Sequence, residues 1–297
     1  MLGACAMALT AFTSCEQEII NEFPAPPTTG EALTVVGTVE GAISRATDTA
    51  WEAGDSIGIT AYGIVTNAKY STTNGDGIFS ASGSGLYLSD ATSHTFYAYY
   101  PYTSAVENNV ISINVCDSAN VAAQKHNDFM VASATLSASN KKLQLQFRHA
   151  MARVIINVKT STEDGFAADD VFSTSSCGVL SAVYTKGTLN IESCKLSSSG
   201  YLSRLYMVAP SDDITNHVRQ YVVYLTPQPG CKFELIYNRG TSKEQVYSVK
   251  LTDQNWFGGY SYTYNVTAKR EGLDLTSAST ITDWTSSSDD LSATLSN

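Results

Sequence analysis

Leu143, Leu145 and Phe147 alternate with Lys142, Gln144, Gln146 and Arg148, and this period of two constrains the fold more than any other feature. Successive side chains of an extended strand leave opposite faces, so the apolar three need a core and the polar four need water. Comparable patterns recur at 56–62, 94–100, 110–115, 152–159, 179–184, 187–191, 201–209, 218–226, 232–237, 245–251 and 260–268. Turn-forming residues separate them, and no segment keeps a helical period over three turns. Short strands with one buried face predict an all-β chain built as β-sandwiches. With 297 residues there is length for two such units, at roughly 150 residues each. The Ser-Ala-Ser-Asn stretch at 137–140 is the best boundary, giving units over 33–140 and 141–290, although the strand after it is also placed to bridge them.

The first 32 residues follow different rules. Leu2 to Phe12 is apolar but shorter than the roughly 20 residues that cross a bilayer, and it has the length of a signal-peptide core. A basic segment is expected before it, which places the start of the signal upstream of Met1. The signal is assigned to 1–15, ending in small residues before Cys15, and 16–32 is assigned as a tether extended by Pro24, Pro26 and Pro27. At the other end, 291–297 forms a short tail in which Leu291 and Leu295 are the large apolar residues.

Charge narrows the partners. Eighteen Lys+Arg against 28 Asp+Glu give a net charge of −10, and no basic run exceeds two residues, so nucleic acid and anionic membrane surfaces are poor partners. Charged residues make up only 15%, while Tyr occurs 17 times, a composition suited to exposed β-structure outside the cytosol.

Residues that carry chemistry are scattered. His94, His126, His149 and His217 fall in no metal-binding spacing and near no nucleophile turn. In His126-Asn127-Asp128 the acid and base are too close along the chain to be a persuasive pair. The doublets Asp169-Asp170, Asp212-Asp213 and Asp289-Asp290 sit in polar segments and are expected to solvate loops. Asn74-Gly75-Asp76-Gly77 lacks the other ligands of a calcium loop and is expected to turn a hairpin. Phe96, Tyr97, Tyr99, Tyr100 and Tyr102 are expected to pack, although such a strand can also stack sugars. No C-x-x-C occurs; Cys177 and Cys194 are the most plausible disulfide pair, with free thiols as the alternative. Neither an enzyme nor a cofactor or metal site is expected.

One arrangement remains to be explained. A strand at 33–41 is followed by a polar segment containing Arg45-Ala46, then by Trp51-Glu-Ala-Gly-Asp-Ser-Ile-Gly-Ile59, where Gly54-Asp55 turns the chain into a second strand. A trypsin-like protease would cut this connection. The cysteine Cys15, Arg45-Ala46 and the Trp51–Ile59 run resemble the fimbrillin-like proteins, the type V pilins of Gram-negative anaerobes. So do Phe96-Tyr-Ala-Tyr-Tyr-Pro-Tyr102, Leu145-Gln-Phe-Arg-His-Ala-Met-Ala-Arg-Val154, Gly259-Tyr-Ser-Tyr-Thr-Tyr264 and Ile281-Thr-Asp-Trp284, in order along nearly the whole chain.

The resemblance implies two tandem transthyretin-like β-sandwiches without catalytic activity. It also implies lipidation at Cys15, export to the outer membrane, cleavage between Arg45 and Ala46, and assembly with other pilin subunits by strand exchange into an adhesive fimbrium. The weakly apolar tail departs from the shaft pattern and leaves a tip or minor subunit open. The alternative is a surface lipoprotein that does not polymerise and binds glycan or a protein ligand.

Overall fold

The computed structural model describes residues 32–40, 51–88, 92–115, 126–137, 139–164, 166–172, 176–252, 254–276 and 280–284. Among them are twenty-one strands, two short 3-10 turns and no α-helix, so the all-β expectation holds.

Strand β1 (Thr34–Val39) precedes β2 (Ser56–Ala61), β3 (Val65–Ser71), β4 (Ile78–Ala81) and β5 (Ser93–Tyr100). Two short strands, β6 (Val106–Glu107) and β7 (Val110–Asn114), come before β8 (Met130–Ser137) and β9 (Lys142–His149). Seven of these close on one another in the order β1-β4-β3-β2-β5-β8-β9. The ring is uneven. Three ladders are only two residue pairs long: β1 with β4, β3 with β4, and β8 with β9. Taking the β3–β4 and β8–β9 seams as corners gives a three-stranded face, β4-β1-β9, and a four-stranded face, β3-β2-β5-β8. Between them lies a core that includes Val35, Ile57, Ile59, Phe79, Phe96, Leu143, Leu145 and Phe147.

The remaining strands begin with β10 (Ala152–Thr160), β11 (Cys177–Asn190), β12 (Lys195–Tyr206), β13 (Val208–Asp213) and β14 (Val218–Leu225). They continue with β15 (Gln228–Pro229), β16 (Lys232–Tyr237), β17 (Gln245–Lys250), β18 (Asn255–Trp256), β19 (Tyr260–Lys269), β20 (Gly272–Leu275) and β21 (Thr280–Asp283). One sheet runs β13-β14-β10-β19-β20 with β21 also on β19, and the other runs β17-β16-β11-β7-β6 with β12 also on β11. Val154, Ile156, Leu180, Val183, Phe233, Trp256, Tyr262 and Tyr264 belong to the core of this second unit.

The sheets change later than the turn-rich stretch at 137–140 suggested. Ser137, Ser139 and Asn140 of that stretch lie at the β8–β9 hairpin, where Asn140 N–H donates to the Ser137 carbonyl at 3.0 Å. Hairpins and linkers use the same residues, so composition does not separate them. The ring therefore runs on to His149, while β6 and β7, from within 33–140, join the second unit through β7 and β11. Tyr99 of β5 and Val131 of β8 also point into the second core, so the two units share a wall.

Strand β11 merges the two strands expected at 179–184 and 187–191. On one side it pairs first with β16 over 177–181 and then with β7 over 186–190. At Tyr184, between those ladders, a side chain takes the place of a strand. Gln228 Oε1 accepts from Tyr184 N–H at 2.8 Å, and Gln228 Nε2 donates to the Tyr184 carbonyl at 3.1 Å. Removing this amide leaves the part-buried Tyr184 N–H and carbonyl without these partners. Gln228→Leu is expected to lower stability by about 1–3 kcal/mol, measured by urea denaturation; an unchanged midpoint would contradict the role assigned to Gln228.

Candidate functional site

Strand β1 is the centre of the three-stranded face. Along one edge it runs parallel to β9 in six consecutive pairs, from Thr34 with Lys142 to Val39 with Phe147. Along the other it meets β4 antiparallel at Val35 with Phe79 and Val36 with Ile78. Backbone bonds extend the seat past both ladders: Leu33 N–H donates to the Leu86 carbonyl at 2.8 Å, and Glu40 N–H to the Phe147 carbonyl at 2.7 Å. Leu33, Val35 and Val39 are buried, and each contributes about 1.5–3 kcal/mol of burial.

The inward position between the two valines is Gly37, and there the barrel closes tightly. Trp51 packs edge-on against Phe79 and Phe147, with ring centroids 5.0 and 5.1 Å apart. Its indole N–H donates to the Gly37 carbonyl at 2.8 Å, while Gly37 N–H donates to the Gly77 carbonyl at 2.9 Å. Gly77 has φ of 78°, and a Cβ on it would stand 2.5 Å from the Gly37 carbonyl oxygen. Trp51 thus ties the chain after residues 41–50 back to the strand before them. Behind it, Tyr100 packs on Trp51 at 5.4 Å and donates its hydroxyl to Asp55 Oδ1 at 3.0 Å. Burial and the neighbouring Asp55 carboxylate push the Tyr100 phenol well above its ordinary pKa, so it remains a donor across the physiological range.

A second cluster joins the two units. His149, at the end of β9, is buried, with Nδ1 2.8 Å from Asp128 Oδ1. Its ring stacks on Trp284 with centroids 3.9 Å apart and planes 6° from parallel. Tyr224 of β14 stacks on the same indole at 5.4 Å, and the Arg153 guanidinium lies 5.0 Å from it. His149 Nε2 is buried and has no hydrogen-bond partner among the described residues, so it is not placed as an exposed base. The sequence pointed to His126 as the neighbour of Asp128; His126 is exposed, and the partner comes from 21 residues away.

The other candidates take structural places. Asp169 pairs with His217 at 2.9 Å, Asp170 accepts Ala167 N–H, and Asp212 receives two bonds from Arg219. Asn74–Gly77 turns the β3–β4 hairpin, with Asp76 accepting Ile78 N–H at 3.0 Å. Phe96 and Tyr99 are buried, one in each core. Burial raises the Tyr99 phenol to about 12, and its hydroxyl donates to Asn67 at 2.7 Å. Cys177 and Cys194 are free thiols. One begins β11 and the other follows its far end, so about 40 Å of extended strand separates them. Cys15, Arg45, Ala46 and Asp289-Asp290 lie outside the described residues.

Trp51 is the polar pin of this arrangement. Trp51→Phe keeps an aromatic ring, though a smaller one, and leaves the Gly37 carbonyl without its donor, at a cost of about 1–3 kcal/mol. Hydrogen exchange of the β1 amides is expected to accelerate in this variant while that of β16 is unchanged; equal protection of β1 in both proteins would contradict the role given to the indole.

A family model described as fimbrillin-like matches residues 44–284. A candidate fimbrium subunit of Bacteroides uniformis, Fim1C, is 26% identical over 254 residues, covering 82% of this chain and 81% of that protein. A crystal structure of a candidate cell adhesion protein from Bacteroides ovatus superposes with a TM-score of 0.68 at 21% identity, covering 88% of this chain and 99% of the other. A second, from Bacteroides uniformis, gives 0.67 at 21% identity over 85% and 98%. The two structures establish a shared fold, and the match over most of its length shows that this chain belongs to the fimbrillin-like family.

Proposed function

We infer that this protein is a non-enzymatic fimbrial subunit that is folded around a strand it later gives up. The observation that carries the reading is the position of β1: the centre of one face, paired on both edges, and followed by the segment that holds Arg45-Ala46. Cleavage there separates β1 from the rest of the chain except for its non-covalent seat. Its departure leaves the edges of β4 and β9 unpaired over an apolar floor, and a strand from another pilin subunit satisfies both. Lipidation at Cys15 holds the precursor at the outer membrane until that exchange, and the product is a surface fimbrium for adhesion.

The tandem transthyretin-like organisation is part of the same reading. In the first unit the opening strand β1 is parallel to the last strand β9 and lies between it and β4. In the second, the opening strand β10 is parallel to β19 and lies between it and β14. This shared arrangement supports two units of one kind.

A non-polymerising surface lipoprotein that binds glycan is the second reading, and a different set of aromatics favours it from the one at 96–102. Tyr201 is 65% exposed and Tyr184 39%, their rings 6.3 Å apart and edge to face. Tyr201 lines a cleft of about 480 Å³ with Lys232 and Lys250.

Treatment with an arginine-specific protease separates the two. The wild type is expected to acquire an N-terminus at Ala46 and form oligomers that resist detergent below boiling, while Arg45→Ala stays full-length and monomeric. Equal assembly of the variant would overturn activation at this bond, and a wild type that is cut yet remains monomeric would favour the glycan-binding reading. Metabolic labelling with a fatty-acid analogue is expected to tag the wild type and not Cys15→Ala; equal labelling would refute the anchor.

A further inference from the structure

The seat of β1 is more selective than an apolar groove. Inward-facing positions on β1 run Leu33, Val35, Gly37, Val39, so aliphatic side chains flank one position that has none. A Cβ at residue 37 would stand 2.9 Å from Phe79 Cε2 and 3.2 Å from Phe147 Cε2. Ring atoms at the end of a free side chain would swing aside. These two are each packed edge-on against Trp51, with interplanar angles of 89° and 86°, so moving one breaks the trio. The backbone of the same residue is also held on both sides, by the Trp51 indole and by the Gly77 carbonyl.

Register follows from this. A strand displaced by one residue turns its apolar side chains toward solvent, because the period of a strand is two. Displacement by two residues keeps the faces but drives a side chain under the Phe79 and Phe147 rings. Only the alignment that places a residue without a side chain at this rung satisfies both limits.

We propose that the groove vacated by β1 selects the incoming strand of another subunit by this rung. The strand that fits runs parallel to β9 and carries glycine opposite the two rings, with an aliphatic residue two positions to either side. This selection rests on the strand-exchange reading above and specifies the partner that the reading requires. Alanine fits worse than glycine, because its Cβ must push the packed rings apart; valine and larger residues fit worse still.

The test uses the full-length chain, cut after Arg45 in the presence of an excess of a labelled synthetic peptide. Three peptides correspond to residues 33–41: the native sequence and its Gly37→Ala and Gly37→Val forms. Native mass spectrometry reads the peptide retained by the cut protein. The native peptide is expected to be retained, the alanine form about tenfold more weakly, and the valine form at least a hundredfold more weakly. In a receiving chain carrying Phe79→Leu, which opens the rung, the valine peptide is expected to recover most of that loss. Equal retention of the glycine and valine peptides by the wild type would overturn the selection while leaving exchange intact. Retention of no peptide at all, with no oligomers formed, would refute the exchange and the selection together.

Discussion

Six consecutive parallel pairs hold β1 against β9, and the first unit depends on that ladder. Without it the ring is open, because β1 is the strand that joins β9 to β4, which it meets through only two pairs. The four-stranded face keeps its own long ladder, eight pairs between β5 and β8. Loss of β1 is therefore a local change. One face loses its centre, while the other retains the pairing that holds its strands together.

Pairing that a strand cannot satisfy within its own chain is an aggregation hazard, and the usual remedies are charge, bulges or closure. Closure is the remedy here, and it is supplied by a strand whose downstream connection contains an arginine. On the proposal above, the aromatic trio around Gly37 would give the closure its specificity. A groove that accepted any apolar strand would pair with unfolded chains as readily as with subunits; one that accepts a single register does not. Shared walls join the second unit to the first. Tyr99 and Val131 project from barrel strands into its core, and the stack of His149, Trp284 and Tyr224 binds the end of β9 to β14 and the residue after β21.

The parts of this structure legible in the sequence are those set by near neighbours along the chain. Alternation at 142–148 identified β9 and its buried face, and Asn74–Gly77 identified a hairpin, because both signals are local. Residue types did not disclose pairing partners. Nothing near Asp128 indicated His149, and nothing in β1 indicated that its neighbour would be β9, more than a hundred residues away. The polar run Lys195–Gly200 was not among the expected strands, because it has few apolar residues; it is the first half of β12, held as a strand by the long partner β11. The correspondence between β1–β9 and β10–β19 was also hidden, since it is a likeness of topology and not of residues.

Locking β1 in place tests the central claim most directly. Thr38 and Gln146 are register partners with exposed side chains on adjacent strands, and neighbouring strands lie within the Cα separation a disulfide spans. A chain carrying Thr38→Cys and Gln146→Cys would be cut after Arg45 with the bridge oxidised or reduced, and its assembly followed by light scattering. The oxidised form is expected to remain monomeric with the β1 fragment attached, and the reduced form to assemble. Assembly of the oxidised form at the rate of the reduced one would show that β1 does not have to leave, and would contradict the account.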